Sequence, residues 1–308
     1  MNQDAAVFLG TVAAIAFVLK SAILFHTHSR DRASQAFIAV CLFFVLQNAV
    51  EFLGYFTYLK SPALGELFVH MYLLATYFAF SSLLVFALAL TRSPHFSRVK
   101  AVTYSLSLVL AIAHISGYVV NGFTFLGWSV ITQPGPLYWV AMTYVLLCCL
   151  VAVLHLLHHY RTGDNPETRH NARISLLAFA PIILVATTVL VLRLAGFNSS
   201  SAVSYPIATV VFLYVMLLHT NGTLFWFSTK LKSIVAIIRL ERNASLDLII
   251  MEIEKIRIQE ALKMTNGQQK TAARILGLPP STLNKRLTKY DINVDNYKPG
   301  ANLQQKLS

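Results

Sequence analysis

Residues 267–290 read GQQKTAARILGLPPSTLNKRLTKY, a stretch dense in lysine, arginine and small residues. Two helical patterns lie on either side of LGL, and the first carries Ala272 and Ala273 shortly before Gly277. A helix-turn-helix needs small residues where its helices cross, and a glycine where the turn becomes left-handed. Both needs are met here, so the stretch predicts a helix-turn-helix.

The predicted helix-turn-helix is strongly basic. Between residues 261 and 290 there is no acidic residue, and there are six basic ones: Lys263, Lys270, Arg274, Lys285, Arg286 and Lys289. Such a surplus suits a surface that contacts the phosphates of a nucleic acid.

The region 251–292 resembles the Fis-type helix-turn-helix at the C-terminus of many bacterial response regulators and enhancer-binding activators. The matching positions are Glu254, Ile258, Ala261, Leu262, Gly267, Gln269, Ala272, Ala273, Leu276, Gly277, Leu278, Thr282, Leu283 and Leu287. The resemblance implies a recognition helix at 281–290 in the major groove, and a homodimer on two half-sites. The candidate DNA-binding residues are Lys270, Ser281, Thr282, Asn284, Lys285, Arg286 and Lys289.

The region departs from the family pattern at two places. Pro279 and Pro280 stand where the family has Ser-Arg, and Gln268 replaces the usual Asn. Proline is tolerated in the first turn of a helix, so we expect the fold to survive. The absent arginine removes one charge-assisted phosphate contact. Two interpretations therefore stay open: a DNA-binding dimer, or a bundle used only for dimerisation or protein docking.

The rest of the chain is made of apolar stretches. Of its 308 residues, 56% are hydrophobic and 12% are charged, against roughly a quarter charged in soluble domains. Seven stretches approach or exceed the length that crosses a bilayer, and each must be helical there: 6–25, 36–58, 68–90, 101–120, 137–160, 174–192 and 203–225. The expected fold is all-α, a seven-transmembrane helix bundle followed by a cytoplasmic Fis-like helix-turn-helix domain.

Basic residues flank the spans unevenly. One side has ten: Arg30, Arg32, Arg92, Arg98, Lys100, Arg161, Arg169, Arg173, Lys230 and Lys232. The other side has only Lys60 and Arg193. Because positive loops stay in the cytoplasm, we predict a bacterial inner-membrane protein with its N-terminus outside and its C-terminus in the cytoplasm.

The spans resemble, less specifically, the seven-helix N-terminal sensor region of some bacterial histidine kinases. The resemblance is carried by HSRDRASQAF, QNAVEF and PIATVVFLYVML. No Gly-rich nucleotide motif follows the last span, and the chain there is too short for a kinase. We therefore expect no enzyme activity and no cofactor. Three cysteines, Cys41, Cys148 and Cys149, lie in apolar stretches and indicate neither a disulfide nor a metal site.

Polar residues at lipid depth are the candidates for a ligand site, because such groups are costly there. Seven lie at a similar outer depth: Gln47, Asn48, Glu51, His70, Tyr72, His114 and Arg193. The guanidinium of Arg193 suits a carboxylate-bearing small molecule. The alternative is internal pairing, of Glu51 with Arg193 or of the histidines with each other. Lys20 is expected to snorkel to the cytoplasmic headgroups.

The sequence thus divides into a sensor domain at 1–228, a connecting helix at 229–250, the helix-turn-helix at 251–292 and a flexible tail at 293–308. The apolar face of the connecting helix fits three partners: the membrane surface, the downstream domain or a second subunit. Together these features predict a membrane-bound one-component sensor and transcription regulator whose partners are lipid, a ligand and DNA. The alternative is a receptor that signals through a cytoplasmic protein, while a transporter would need inverted repeats.

Overall fold

The computed structural model describes residues 3–26, 32–58, 60–126, 129–163, 166–197, 201–219, 233, 235–238, 240, 244–265 and 267–297. The N-terminal helices are α1 Gln3–His26, α2 Arg32–Tyr58, α3 Pro62–Leu90, α4 Phe96–Ile115, α5 Tyr138–Thr162, α6 Pro166–Leu194 and α7 Ser204–His219. Strands β1 Val120–Leu126 and β2 Ser129–Pro134 lie between α4 and α5. The C-terminal helices are α8 Leu246–Met264, α9 Gln269–Leu276 and α10 Pro280–Lys289.

Six of the described helices, α1 to α6, are long and apolar enough to cross a bilayer. The seventh predicted stretch contains α7, which is apolar but only 16 residues long in the described part of the chain. Residues 220–225 of that stretch lie outside the described residues. The helical class of the fold is confirmed, and the chain has the composition of a membrane protein.

The centre of the bundle is α3, whose residues 79–90 are all buried. It packs against α2, α4, α5 and α6. An aromatic cluster joins α2 and α6 to α7, because the ring of Phe212 lies 5.3 Å from that of Phe179 and 6.1 Å from that of Phe44. Edge-on contacts of this kind stabilise packing beyond the area they bury. The cluster fixes where α7 lies in the bundle.

The hairpin β1–β2 was not predicted, and it shortens the fourth predicted span. Helix α4 ends at Ile115, shortly before Gly117 takes a φ of 80°, and the amide of Tyr118 donates to the carbonyl of Ala113 at 3.0 Å. The strands pair antiparallel, with Phe123 opposite Thr132. The ring of Phe123 packs on His70 with centroids 4.8 Å apart, so the hairpin contacts α3.

The C-terminal helices have a hydrophobic core of their own. Its buried members are Ile258, Ala261, Leu262, Ala272, Ala273, Leu283, Leu287, Tyr290 and Ile292. Helix α8 continues across the predicted boundary at 250/251. A 3-10 turn, Val294–Tyr297, packs two side chains against this core within the region predicted as a tail. Residues 298–308 of that tail lie outside the described residues.

Candidate functional site

The turn between α9 and α10 has the geometry that the sequence predicts. Ala272 and Ala273 are 0% and 1% exposed, so the small side chains lie where the helices cross. Gly277 has φ 66° and ψ 28°, the left-handed conformation that favours glycine. The amide of Leu278 donates to the carbonyl of Ala273 at 2.9 Å, which closes the end of α9. These contacts define the angle between the two helices.

The two prolines begin α10 and leave it intact. Pro279 caps the helix with φ −60° and ψ 142°, and Pro280 is its first residue. The carbonyl of Pro279 accepts from the amide of Leu283 at 3.1 Å. A proline at the first helical position loses a donor that would have no partner inside the helix. The prediction that the fold survives the double proline agrees with this geometry.

The outer face of α10 carries most of the predicted DNA-binding residues. Leu283 and Leu287 face the core, so helical periodicity turns the other side of α10 outward. Its exposed residues are Ser281, Asn284, Lys285, Thr288 and Lys289, with Thr282 partly exposed and Lys270 exposed on α9. The exposed side chains of α10 therefore share one polar and basic surface, which we call the basic face.

Arg286 differs from its neighbours because it has a partner within the domain. Its guanidinium lies 2.8 Å from the carboxylate of Glu254 on α8. The hydroxyl of Tyr290 donates to the other oxygen of the same carboxylate. This bond, with a smaller contribution from burial, raises the pKa of Tyr290 above its usual value. The motif included Glu254, but its two partners lie far along the chain, and the sequence pattern did not indicate them.

The first turns of α8 expose apolar side chains. Leu246 is 71% exposed, Leu248 is 38% exposed and Ile250 is 45% exposed. These three residues form what we call the α8 apolar patch. A cluster of large apolar residues on a surface commonly marks an interaction site.

In the membrane part, Glu51 belongs to a chain of hydrogen bonds. One of its oxygens accepts from the amide nitrogen of Asn48 at 3.0 Å, and the other accepts from the Tyr55 hydroxyl at 3.3 Å. The amide oxygen of Asn48 accepts from the Lys20 ammonium, which also donates to the Thr209 hydroxyl at 2.5 Å. Helices α1, α2 and α7 are joined by this network.

The expectation that Lys20 snorkels to the headgroups is wrong. Lys20 is 1% exposed, and its ammonium lies 5.5 Å from the centre of the Phe44 ring. A buried cation is retained where it has partners, because desolvation alone would be costly. Asn48 and Thr209 are those partners, and the acid Glu51 lies next along the same hydrogen-bonded chain.

A cavity of about 280 Å³ lies beside Glu51. Its walls come from α2, α3, α5, α6, the strand β2 and the beginning of α7. Glu51 and Tyr72 are the predicted ligand residues that line it. Gln47 lies behind the wall: it donates to Thr76 at 2.9 Å and accepts from Tyr205 at 3.4 Å, and both of those residues line the cavity.

The two histidines lie elsewhere. His70 Nδ1 is 2.8 Å from His114 Nε2, and His114 Nδ1 is 3.1 Å from the Tyr77 hydroxyl. Neither histidine is among the described residues that line the cavity beside Glu51. The arrangement matches the alternative in which the histidines satisfy each other. The side chain of Arg193, the seventh predicted residue, lies outside the described part of the chain, so its pairing stays a prediction.

A sequence model of the family described as "Bacterial regulatory protein, Fis family" matches residues 249–290. The match runs from the first turns of α8 to the end of α10. It indicates a DNA-binding regulator, in agreement with the basic face and the turn geometry. A search of curated proteins gave no match to the chain.

Proposed function

We propose that this protein is a membrane-bound one-component regulator, in which the membrane helices sense a small molecule and the C-terminal domain binds DNA. The observation that carries the proposal is the presence, in one chain, of six membrane-length helices in the described part and a Fis-family helix-turn-helix. Such a protein needs no phosphorelay, because sensor and output are covalently joined. The bias in basic loops supports a cytoplasmic C-terminus in a bacterial inner membrane.

DNA contact is assigned to the basic face. Lys270, Lys285 and Lys289 are exposed and supply phosphate contacts, which set affinity and its dependence on salt. Asn284 and Ser281 are exposed on the same helix and carry the groups that read base edges in the major groove. We assign phosphate contacts to Lys285 and Lys289 before Arg286, because Arg286 is already paired with Glu254.

A homodimer is part of the proposal, since a half-site reader gains affinity and spacing from a second copy. The α8 apolar patch supports this pairing, because a second copy would cover Leu246, Leu248 and Ile250. A signal that changes how two α8 helices pair would change the distance between two recognition helices.

The test uses the full-length protein in lipid nanodiscs and a pool of random duplexes selected over several rounds. We expect an enriched sequence whose binding weakens steeply as salt rises. Lys285→Ala with Lys289→Ala should lower the affinity strongly, whereas Arg257→Ala on the exposed side of α8 is the matched control. Absence of any salt-dependent duplex binding by folded protein would contradict the proposal.

A second candidate function rests on the pairing of Arg286 with Glu254 and on the prolines that replace the family arginine. If the basic face does not contact DNA, the bundle serves as a docking surface for a cytoplasmic signalling protein. A reporter strain separates the two functions. Signalling that persists in the Lys285→Ala and Lys289→Ala variant supports docking, and signalling that disappears together with duplex binding supports direct regulation.

A further inference from the structure

The cavity beside Glu51 has an acidic group and no basic one among its described lining residues. Its polar members are Glu51, Thr76, Thr132, Ser201 and four tyrosines, and the remainder are glycine, methionine, aliphatic or aromatic residues. An apolar cavity with a few convergent polar groups is the usual form of a small-molecule site. Its volume of about 280 Å³ lies just below the usual range for such sites, which begins at about 300 Å³, so a compact ligand fits.

The carboxylate of Glu51 has acceptor capacity beyond its two bonds within the protein. An ionised carboxylate offers about four lone-pair positions on its two oxygens. Tyr55 occupies one position on one oxygen, and Asn48 occupies one on the other. Because Glu51 also borders the cavity, a donor bound there meets a carboxylate whose orientation is already fixed.

The charge at Glu51 is balanced through an intervening side chain. Lys20 reaches Glu51 through Asn48, whose amide oxygen faces the ammonium and whose amide nitrogen faces the carboxylate. The amide keeps the two charges apart, so a second cation beside Glu51 has a direct partner that Lys20 does not occupy.

We propose that the cavity binds a small, mainly apolar molecule with an amine at its polar end, and that the amine donates to Glu51. Charge-assisted hydrogen bonds of this type are roughly twice as strong as neutral ones. A carboxylate-bearing ligand would instead meet Glu51 with like charge and no basic partner among the described wall residues, and burying it unpaired is costly. A carboxylate-bearing ligand paired with Arg193 is the alternative that the sequence predicts, and the side chain of Arg193 lies outside the described residues.

The same geometry connects the cavity to α7. Tyr205 lines the cavity, and Thr209, one helical turn further along α7, holds the ammonium of Lys20. An amine at Glu51 would weaken the attraction that Glu51 exerts on Lys20, and so would alter the contact between α1 and α7. Only this signalling consequence rests on the proposed function, because the binding itself is independent of the output domain.

The test compares three probes of similar size: 2-phenylethylamine, 2-phenylethanol and 3-phenylpropanoate. Full-length protein is placed in phosphatidylcholine nanodiscs, and binding is followed by thermal unfolding and by tryptophan fluorescence, to which Trp139 in the cavity wall contributes. We expect saturable binding of the amine, weaker binding of the alcohol, and no binding of the acid at the same concentrations. Equal affinity for the amine and the acid, or no saturable binding of any probe, would overturn the proposal.

Variants locate the site. Glu51→Gln should lower the affinity for the amine by about tenfold or more and change the affinity for the alcohol by no more than about twofold. Glu66→Gln, which changes an acid of the neighbouring helix α3 outside the described lining, is the matched control and should change neither. Val189→Trp should fill the cavity and abolish binding of the amine and of the alcohol. Amine binding that is unchanged in Glu51→Gln contradicts the proposal, and the probe comparison on the unaltered chain stands even where a variant fails to fold.

Duplex binding measured on the same samples separates this inference from the proposed function. Amine binding with no duplex binding removes the regulator proposal and leaves the cavity assignment. Duplex binding with no preference for the amine removes the cavity assignment and leaves the regulator proposal.

Discussion

Lys285 and Arg286 are adjacent basic residues on α10, and their environments predict opposite phenotypes. Lys285 is exposed on the basic face, whereas Arg286 is about one-third exposed and ion-paired with Glu254. Replacing each with alanine removes one positive charge per subunit. The effect of Lys285→Ala should appear in DNA binding, and the effect of Arg286→Ala should appear in the stability of the domain.

The expected magnitude for Lys285→Ala follows from counterion release. Each phosphate contact contributes about 0.9 to the slope of log Kobs against log salt, so removing one phosphate contact from each subunit of a dimer lowers the slope by about 1.8. With affinity at about 1 M salt unchanged, that is roughly a sixtyfold decrease in affinity at about 0.1 M salt. Arg286→Ala should leave the slope near its original value and cost about 0.5–1 kcal/mol of folding free energy, as partly exposed ion pairs do.

The assay is fluorescence anisotropy of a selected duplex over a salt titration, paired with thermal unfolding of the purified segment 245–308. That segment contains a complete hydrophobic core of its own. Arg257→Ala, which removes an exposed charge on α8, is the control for overall electrostatics. The reasoning fails if Arg286→Ala lowers the slope as much as Lys285→Ala while the melting temperature stays unchanged, because Arg286 would then contact phosphate.

Three further predictions concern the turn, the buried cation and a tyrosine. Gly277→Ala should destabilise the 245–308 segment by about 1–2 kcal/mol in thermal unfolding. The cost comes from the backbone, since φ is 66° and an added Cβ meets nothing within 4 Å. Gly277→Asn should cost less, and a Gly277→Ala variant as stable as the unaltered segment would contradict the role of the turn. Lys20→Met should lower the melting temperature in nanodiscs, because it leaves Glu51 without its cation. The double variant Lys20→Met with Glu51→Gln should recover part of that decrease. A double variant that melts no higher than the single one would refute the coupling between the two residues. The bond to Glu254 raises the pKa of Tyr290, so the stabilisation from this bond is complete below the ordinary tyrosine pKa of 10.0 and disappears as pH rises through the pKa of the folded protein. Tyr290→Phe should therefore flatten the decline in melting temperature as pH rises above about 10. An unchanged decline would show that this bond is not its cause.

Local features of the helix-turn-helix were predictable because they depend on neighbouring residues. The crossing at Ala272 and Ala273 and the left-handed turn at Gly277 are set within a few residues of sequence. The pairing of Arg286 with Glu254 was not predictable, since it depends on how α10 packs on α8. Charge alone placed Arg286 with Lys285, and only the fold distinguishes them.

In the membrane part, hydropathy predicts the depth of a residue in the bilayer but not which neighbours its side chain faces. Glu51 and His70 have a similar predicted depth, yet Glu51 borders the cavity while His70 faces His114 on α4. Hydropathy does not predict the hairpin, because the apolar run after Ile115 continues the pattern of α4 and does not distinguish a strand from a helix end. Hydropathy alone predicts a headgroup location for Lys20, because its partner on α7 is distant in sequence.

The bond between Lys20 and Thr209 also has a consequence for biosynthesis. The two residues are 189 positions apart in the chain, so at about 5–20 residues per second a ribosome reaches Thr209 about ten to forty seconds after Lys20. Asn48 follows Lys20 by only 28 positions and is synthesised within a few seconds. Asn48 is therefore available as a partner for the Lys20 ammonium before Thr209 has been synthesised.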